Sequence, residues 1–263
     1  MENLHGHERD SDHQLVMALT RGFDVLRCYS ATEPVLQVKE IARRAGIPTP
    51  TVSRLTYTLA RLGYLQRVGL GRYQLGPAVL SIAYPLFAAT SVRRLARPLM
   101  EELASHCGSS VSMDIRDRLN VIFIESCRST MDSNPLVPDI GMAIPIARGT
   151  SGSALLAACA APEREQVLNQ IKVKMPEDYA LFRERLEQGL REIETRGFSA
   201  SPADLDMQGV SANVPMRCTG DGIPTMFNCS VAKTSPKARQ LEDDVGPRLV
   251  DMVRKVEAAI ARR

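Results

Sequence analysis

Histidine is scarce in this 263-residue chain: there are four, and His5, His7 and His13 all fall in a polar N-terminal stretch. Only His106 lies in the part expected to fold, which leaves little material for histidine-based catalysis or metal ligation. The six cysteines, Cys28, Cys107, Cys127, Cys159, Cys218 and Cys229, are scattered with no CxxC pair. That usage suits reduced thiols in a cytoplasmic protein better than a disulfide framework or a zinc site. No metal and no cofactor is expected. No run approaches eighteen consecutive apolar residues, so neither a transmembrane helix nor a membrane partner is expected. Residues 1–14 are polar with no apolar core, so no secretory signal is expected there. What remains is a composition close to the globular average, 44% hydrophobic and 24% charged, in a chain long enough for two domains with a sizeable core.

The net charge of +3 conceals an asymmetry. Residues 37–72 carry Lys39, Arg43, Arg44, Arg54, Arg61, Arg67 and Arg72 against Glu40 alone, while residues 73–263 hold 23 basic and 23 acidic side chains and residues 1–36 are net acidic. The excess positive charge sits in one short segment. Such a segment suits a polyanion, because each neutralised phosphate releases condensed counterions. The plainer alternative is a solvated helical face.

Hydrophobic spacing supplies the elements. Val16, Leu19, Phe23 and Leu26 mark one face of an amphipathic helix between Leu15 and Ser30. A short helix over Val38 to Ala45 is closed by Gly46. Thr49 is expected as the N-cap of the next helix, with Pro50 at its first position and Val52, Leu55, Leu59 and Leu62 facing inward. Two strands, 64–68 and 72–75, flank the turn Gly69-Leu70-Gly71 as a hairpin. Pro77 to Thr90 is apolar and helical, and Val92 to Cys107 is a further helix. Beyond it, strands are expected near 111–115, 121–127, 210–216 and 225–231, with a loop over 129–138. Helices are expected over 151–160, 162–172 and 179–196, and a last helix capped by Ser235-Pro236.

Two short helices around Gly46 followed by a basic hairpin make a winged helix-turn-helix, and double-stranded DNA is the partner this implies. Thr49, Thr51, Ser53, Arg54 and Tyr57 lie on the exposed arc of the second helix. Short hydroxyl side chains there let the backbone approach the groove floor, and Arg54 has the reach for a guanine or a phosphate. Arg67 and Arg72 on the wing are placed for backbone or minor groove, and Lys39 for phosphate. An ordinary three-helix core with exposed hydroxyls is the competing reading, and it leaves the charge, turn and wing unexplained together.

At this point the sequence resembles the IclR family of bacterial transcriptional regulators, from Leu15 to the C-terminus. The residues that carry the likeness are 38–55, which span the helix-turn-helix, together with Leu62-Gly63-Tyr64-Leu65 and Tyr73-Gln74-Leu75-Gly76. The resemblance implies an α+β chain with a linker helix after the wing, a GAF-like α/β domain that binds a small organic effector, and a dimer or dimer of dimers. The corresponding division is a polar tail over 1–14, a winged helix-turn-helix over 15–77, a linker helix over 78–90 and an effector-binding and oligomerisation domain over 91–263.

In the second domain, a small-residue loop runs from Ile144 into a helix near Ser151, so backbone N–H groups converge where a carboxylate would be held. Gly152 and Ser153 equally allow close helix–sheet packing, and both readings stand. Gly149, Ser151 and Ser153 have the outline of a nucleophile elbow, but the last position is serine and no base is available. No enzymatic role is expected. The resemblance implies an effector pocket lined by Ile144, Gly152 and Ser153, then Asp204, Val210 and Ala212, then Asn228 and Ser230. The chain departs from the family pattern by offering Asp204 and Asp206 where many members have a glutamate, and by a stretch from Gly209 to Pro215 that is one residue short. The expectation is a DNA-binding regulator controlled by a small carboxylate or aromatic acid. The alternative is an enzyme or stand-alone binding protein with a fortuitously basic first domain.

Overall fold

The computed structural model describes residues 14–132, 139–148, 150–202, 209–217 and 222–262. It divides into two compact units between Ala89 and Thr90.

The first unit contains α1 (Met17–Leu26), β1 (Val35–Gln37), α2 (Val38–Ala45), α3 (Thr49–Arg61), β2 (Leu65–Gly69), β3 (Arg72–Leu75) and α4 (Ala78–Ala89). α2 stops because Gly46 takes the left-handed conformation, φ 65°, which a Cβ would penalise. α3 begins one residue earlier than expected. Its N-cap is Pro48, whose carbonyl accepts from the N–H groups of Thr51 at 2.9 Å and Val52 at 3.0 Å. Thr49 is therefore the first helical residue, and its hydroxyl has no capping role. Val25, Ile41, Ile47, Val52 and Leu65 form the core. The buried partner on α3's second turn is Thr56, whose hydroxyl donates back to the carbonyl of Val52 at 2.9 Å.

Two expectations are corrected here. Leu62, expected to face inward, is the residue that ends α3 and is 61% exposed. On α1, Val16, Leu19 and Phe23 are exposed while Val25 is buried. The small core has room for only one side of α1, and Val25 with Leu26 occupies it. The wing is a three-stranded antiparallel sheet in the order β1-β3-β2. β1 escaped the sequence reading because three residues are too few to show a period. α4 buries none of its residues, and Leu80, Ile82, Tyr84 and Leu86 all stand exposed.

The second unit contains α5 (Ser91–Cys107), β4 (Ser110–Asp117), β5 (Asn120–Arg128), β6 (Ala143–Pro145), α6 (Thr150–Ala158), α7 (Ala161–Lys174), α8 (Pro176–Arg196), β7 (Ser199–Pro202), β8 (Gly209–Met216), β9 (Thr225–Ala232) and α9 (Gly246–Ala261). Its strands form one antiparallel sheet in the order β6-β5-β4-β9-β8-β7. α5 and α9 cover one face. On that side Glu125 accepts from Arg93 at 2.8 Å and Arg97 at 3.0 Å, both on α5. α6 covers the other face, with α7 and α8 packed around it. Ala154, Leu155, Ile171, Leu186 and Ile193 from these helices share a core with Val121 and Met226 of the sheet.

The last helix differs from expectation. After Ser235, whose hydroxyl accepts from the N–H of Lys237, the chain makes a 3-10 turn over Pro236–Gln240 and a wide π turn over Leu241–Val245 before α9 starts. Pro247 has no N–H to return to the carbonyl four residues back, and the wide turn accommodates that missing bond. Gly246 lies flat against the Phe198 ring, where a Cβ would overlap it.

Candidate functional site

The exposed side of the first unit carries its positive charge selectively. Glu40 accepts from Arg43 at 2.7 Å and from Arg44 at 2.6 Å, and Arg44 also reaches Glu33 at 2.6 Å and the carbonyl of Cys28. These hydrogen bonds hold the Glu40 carboxyl down at about 2. Two of the seven cations in the basic segment are thus engaged within the fold. Among the described residues, Lys39, Arg54, Arg61, Arg67 and Arg72 have no ion pair. All five are exposed. Arg67 is steadied by a hydrogen bond from its Nε to the carbonyl of Gly69 at 3.1 Å.

The expected DNA-contacting residues fall on one helix and its wing. Thr49, Ser53, Arg54 and Tyr57 are exposed along α3, with Tyr57 at 65%, and Thr51 is half-buried. Lys39 sits in the first turn of α2, and Arg67 and Arg72 lie on β2 and β3. A helix presenting short hydroxyls, one guanidinium and one phenol beside a basic ribbon has the shape and donors for a major groove.

The second site was only partly foreseen. On the α6 side of the large sheet, cross-strand pairing sets Ser110 beside Ser230 and Ser112 beside Asn228. It continues with Ser230 beside Ser211, Asn228 beside Asn213, and Asn213 beside Ser199. Asp114 lies two residues along β4 from Ser112, so it shares this face. All eight of these side chains are buried. Asn228 donates to Asn213 Oδ1 at 2.7 Å, Asn213 to the Ser211 hydroxyl at 3.4 Å, and Ser112 to Asp114 Oδ2 at 3.2 Å. Among the described residues, Asp114 Oδ1, Ser199 Oγ and Ser230 Oγ have no partner. A buried polar group left unpaired costs about 1–3 kcal/mol, so three on one sheet face are an unmet demand for hydrogen bonds. Burial pushes the Asp114 carboxyl well above the usual carboxylate range, opposed only by the Ser112 hydrogen bond.

The structure brings Asn228 and Ser230 together on this face. Ile144, in β6, pairs with Val121 and lies on the same side toward the sheet edge. Gly152 and Ser153 both make close packing contacts. A Cβ on Gly152 would overlap the carbonyl of Ile146, and Ser153 fits against Gly189 of α8 while donating to the carbonyl of Leu186 at 3.3 Å. Arg148 is tied to Asp178 at 2.7 Å. Val210 and Ala212 do not join this face. They pair with Val231 and Cys229 on the opposite, α5 and α9 side of the sheet, and Ser211 and Asn213 hold the places toward α6. A one-residue offset inverts every side chain in a strand. Asp204, with Asp206, lies outside the described residues.

Ser112, Asp114, Ser211 and Asn213 were missed. Their signal was present as polar residues alternating with Val111, Met113 and Ala212, a pattern that ordinarily marks a solvated sheet face. A separate cavity of about 470 Å³ opens at the other end of α6, bounded by Ala157, Cys159, Leu190, Ile193 and Met216 among others. None of the expected effector residues lines it. Among the described residues no helix is long and apolar enough to cross a membrane.

Comparison with known proteins covers both units. The IclR helix-turn-helix domain model matches residues 18–69, and the model for the bacterial transcriptional regulator IclR C-terminal matches residues 84–262. The chain is 32% identical over 255 residues to the HTH-type transcriptional regulator TsaQ1/TsaQ2 of Comamonas testosteroni, spanning 95% of this chain and 90% of that one. An IclR family transcriptional regulator from Brucella abortus superposes with a TM-score of 0.82 at 36% identity, covering 98% of both chains. An IclR homologue from Microbacterium hydrocarbonoxydans, solved in complex with 4-hydroxybenzoate, shares the fold with a TM-score of 0.72 at 20% identity, covering 94% of this chain and 100% of that one.

Proposed function

From the premise that the chain belongs to the IclR family of transcriptional regulators, and so is a DNA-binding regulator under a small-molecule effector, we propose how its residues divide that work. α3 reads the major groove through Thr49, Thr51, Ser53, Arg54 and Tyr57, while Lys39, Arg67 and Arg72 hold phosphates. Residues 15–77 form the DNA-binding domain, 78–90 the linker, and 91–263 the domain that senses and assembles.

The effector is a small carboxylate or aromatic acid, seated against the polar face beneath α6. The single observation that carries this is the set of buried, unpartnered oxygens on Asp114, Ser199 and Ser230. A ligand able to bond them removes a standing cost. The 4-hydroxybenzoate held by the Microbacterium homologue has this chemistry and is the first probe to use. No catalytic step belongs to this reading.

The protein acts in the cytoplasm as a homodimer, or a dimer of dimers, on a twofold operator. The apolar stripe of α1 and the bare apolar helix α4 supply the surface a second copy would cover.

The effector reading is tested on Ser230→Ala. Deleting an orphaned hydroxyl should leave the melting temperature unchanged or raised, yet weaken 4-hydroxybenzoate binding about five- to tenfold, the loss of one hydrogen bond. Unchanged affinity in titration calorimetry would place the effector elsewhere. Ser153→Leu is unsuitable for this purpose, because Ser153 packs against Gly189 and the larger side chain would break the α6–α8 contact.

A further inference from the structure

Among the buried groups on the polar face, one is ionisable. Asp114 is fully buried on β4, with one oxygen bonded by Ser112 and the other bare. A carboxylate in such a place would need a cation, and among the described residues none faces it. Arg116, two residues along the strand, is paired with Glu163 of α7. Arg93 and Arg97 lie across the sheet on Glu125. β5 and β9 place Phe123 and Met226 opposite Asp114, and α6 has no titratable residue in its length. Cys159, just beyond α6, has its thiol pushed up by burial and stays neutral. An isolated charge there would cost several kcal/mol, so the group keeps its proton instead.

We propose that Asp114 determines which effectors this protein accepts, acting as a neutral acid whose free O–H donates to the carboxylate of a bound small molecule. The proton stays on Asp114, the ligand enters as an anion, and no charge is transferred. The site therefore selects anions with hydrogen-bond donors alone, and it disfavours a positively charged group wherever Asp114 remains protonated. This proposal rests on the reading of the polar face as the effector site. It adds the residue that discriminates and the sign of its pH dependence.

The test uses the full-length protein in thermal-shift and calorimetric titrations with benzoate, benzamide and benzylamine between pH 6 and pH 9. Wild type, Asp114→Asn and Asp114→Ala are compared. Asn keeps a neutral donor of the same size, whereas Ala removes it. The expected result is that wild type prefers benzoate to benzylamine and that its affinity for benzoate does not rise with pH. Asp114→Asn should bind within about threefold of wild type at pH 6 with a flat profile, and Asp114→Ala should lose tenfold or more.

Wild-type affinity for benzoate that rises with pH overturns the proposal. So does loss of binding in Asp114→Asn, or a preference for benzylamine that needs Asp114; in each of these cases the face still holds a ligand. Failure of all three probes to bind the wild type overturns the carboxylate reading of the face, and this proposal with it.

Discussion

The division of the basic segment into engaged and unengaged cations makes a quantitative prediction about DNA. Each phosphate neutralised by the protein contributes about −0.9 to the slope of log affinity against log salt. Arg72 is exposed and unpaired among the described residues, so Arg72→Ala should flatten the slope by about 0.9 per subunit. Over a fourfold rise in salt, from about 50 to 200 mM, that is about a 3.5-fold smaller loss of affinity per subunit. The effect should be the same on operator and on random DNA. Arg43 carries the same formal charge but is bonded to Glu40 at 2.7 Å, so Arg43→Ala should leave the slope nearly unchanged. Arg54→Ala should instead cost about 1–3 kcal/mol on operator and little on random sequence, because a bidentate base contact is what it removes. Fluorescence anisotropy at four salt concentrations on both DNAs measures all three variants. If Arg43→Ala flattens the slope as much as Arg72→Ala, the ion pairs do not withdraw charge from the interface and the reasoning fails.

Further expectations concern stability and assembly. Asp114 holds its proton more tightly folded than unfolded, so the unfolded state binds fewer protons and stability declines as pH rises above the unfolded carboxyl's ordinary value. Asp114→Asn should therefore raise the melting temperature more at pH 8 than at pH 5, and an equal change at both would contradict the neutral acid. Gly246→Ala should destabilise by about 1–3 kcal/mol through overpacking against Phe198, read as a lower urea midpoint with an unchanged m-value. Leu19→Glu combined with Leu80→Glu should give a monomer by light scattering while the far-ultraviolet circular dichroism is retained; a dimer that survives both would move the interface elsewhere.

The features legible from sequence were those with a long period or strong punctuation. α2 and α3 announced themselves through apolar spacing and Gly46, β5 through its Val-Ile-Phe-Ile run, and β4, β8 and β9 through short apolar-rich stretches. β1, β6 and β7 are three or four residues long and offer no period to detect. α8 starts at Pro176, before the expected Tyr179, with Glu177 and Asp178 in the first turn where they favour the helix dipole. The harder failure was directional. Asn228 and Ser230 were expected from the family resemblance, but which residues of β8 oppose them depends on pairing register. Ser112 and Asp114 stayed hidden because a strand buried on both sides can carry the same alternation as one that faces water.

That alternation has an evolutionary consequence. Along β4, Ser112 and Asp114 look toward α6 while Val111 and Met113 look toward α5, and β8 and β9 repeat the arrangement. With the effector seated on the face proposed for it, ligand preference and structural support are written on the same strands at interleaved positions, as two texts on alternate lines. Every second residue is available for exchange when a lineage meets a new metabolite, and the intervening ones can keep the helices seated throughout. On that reading, a change of effector needs no new loop and no new cavity wall, only a few substitutions spaced two apart.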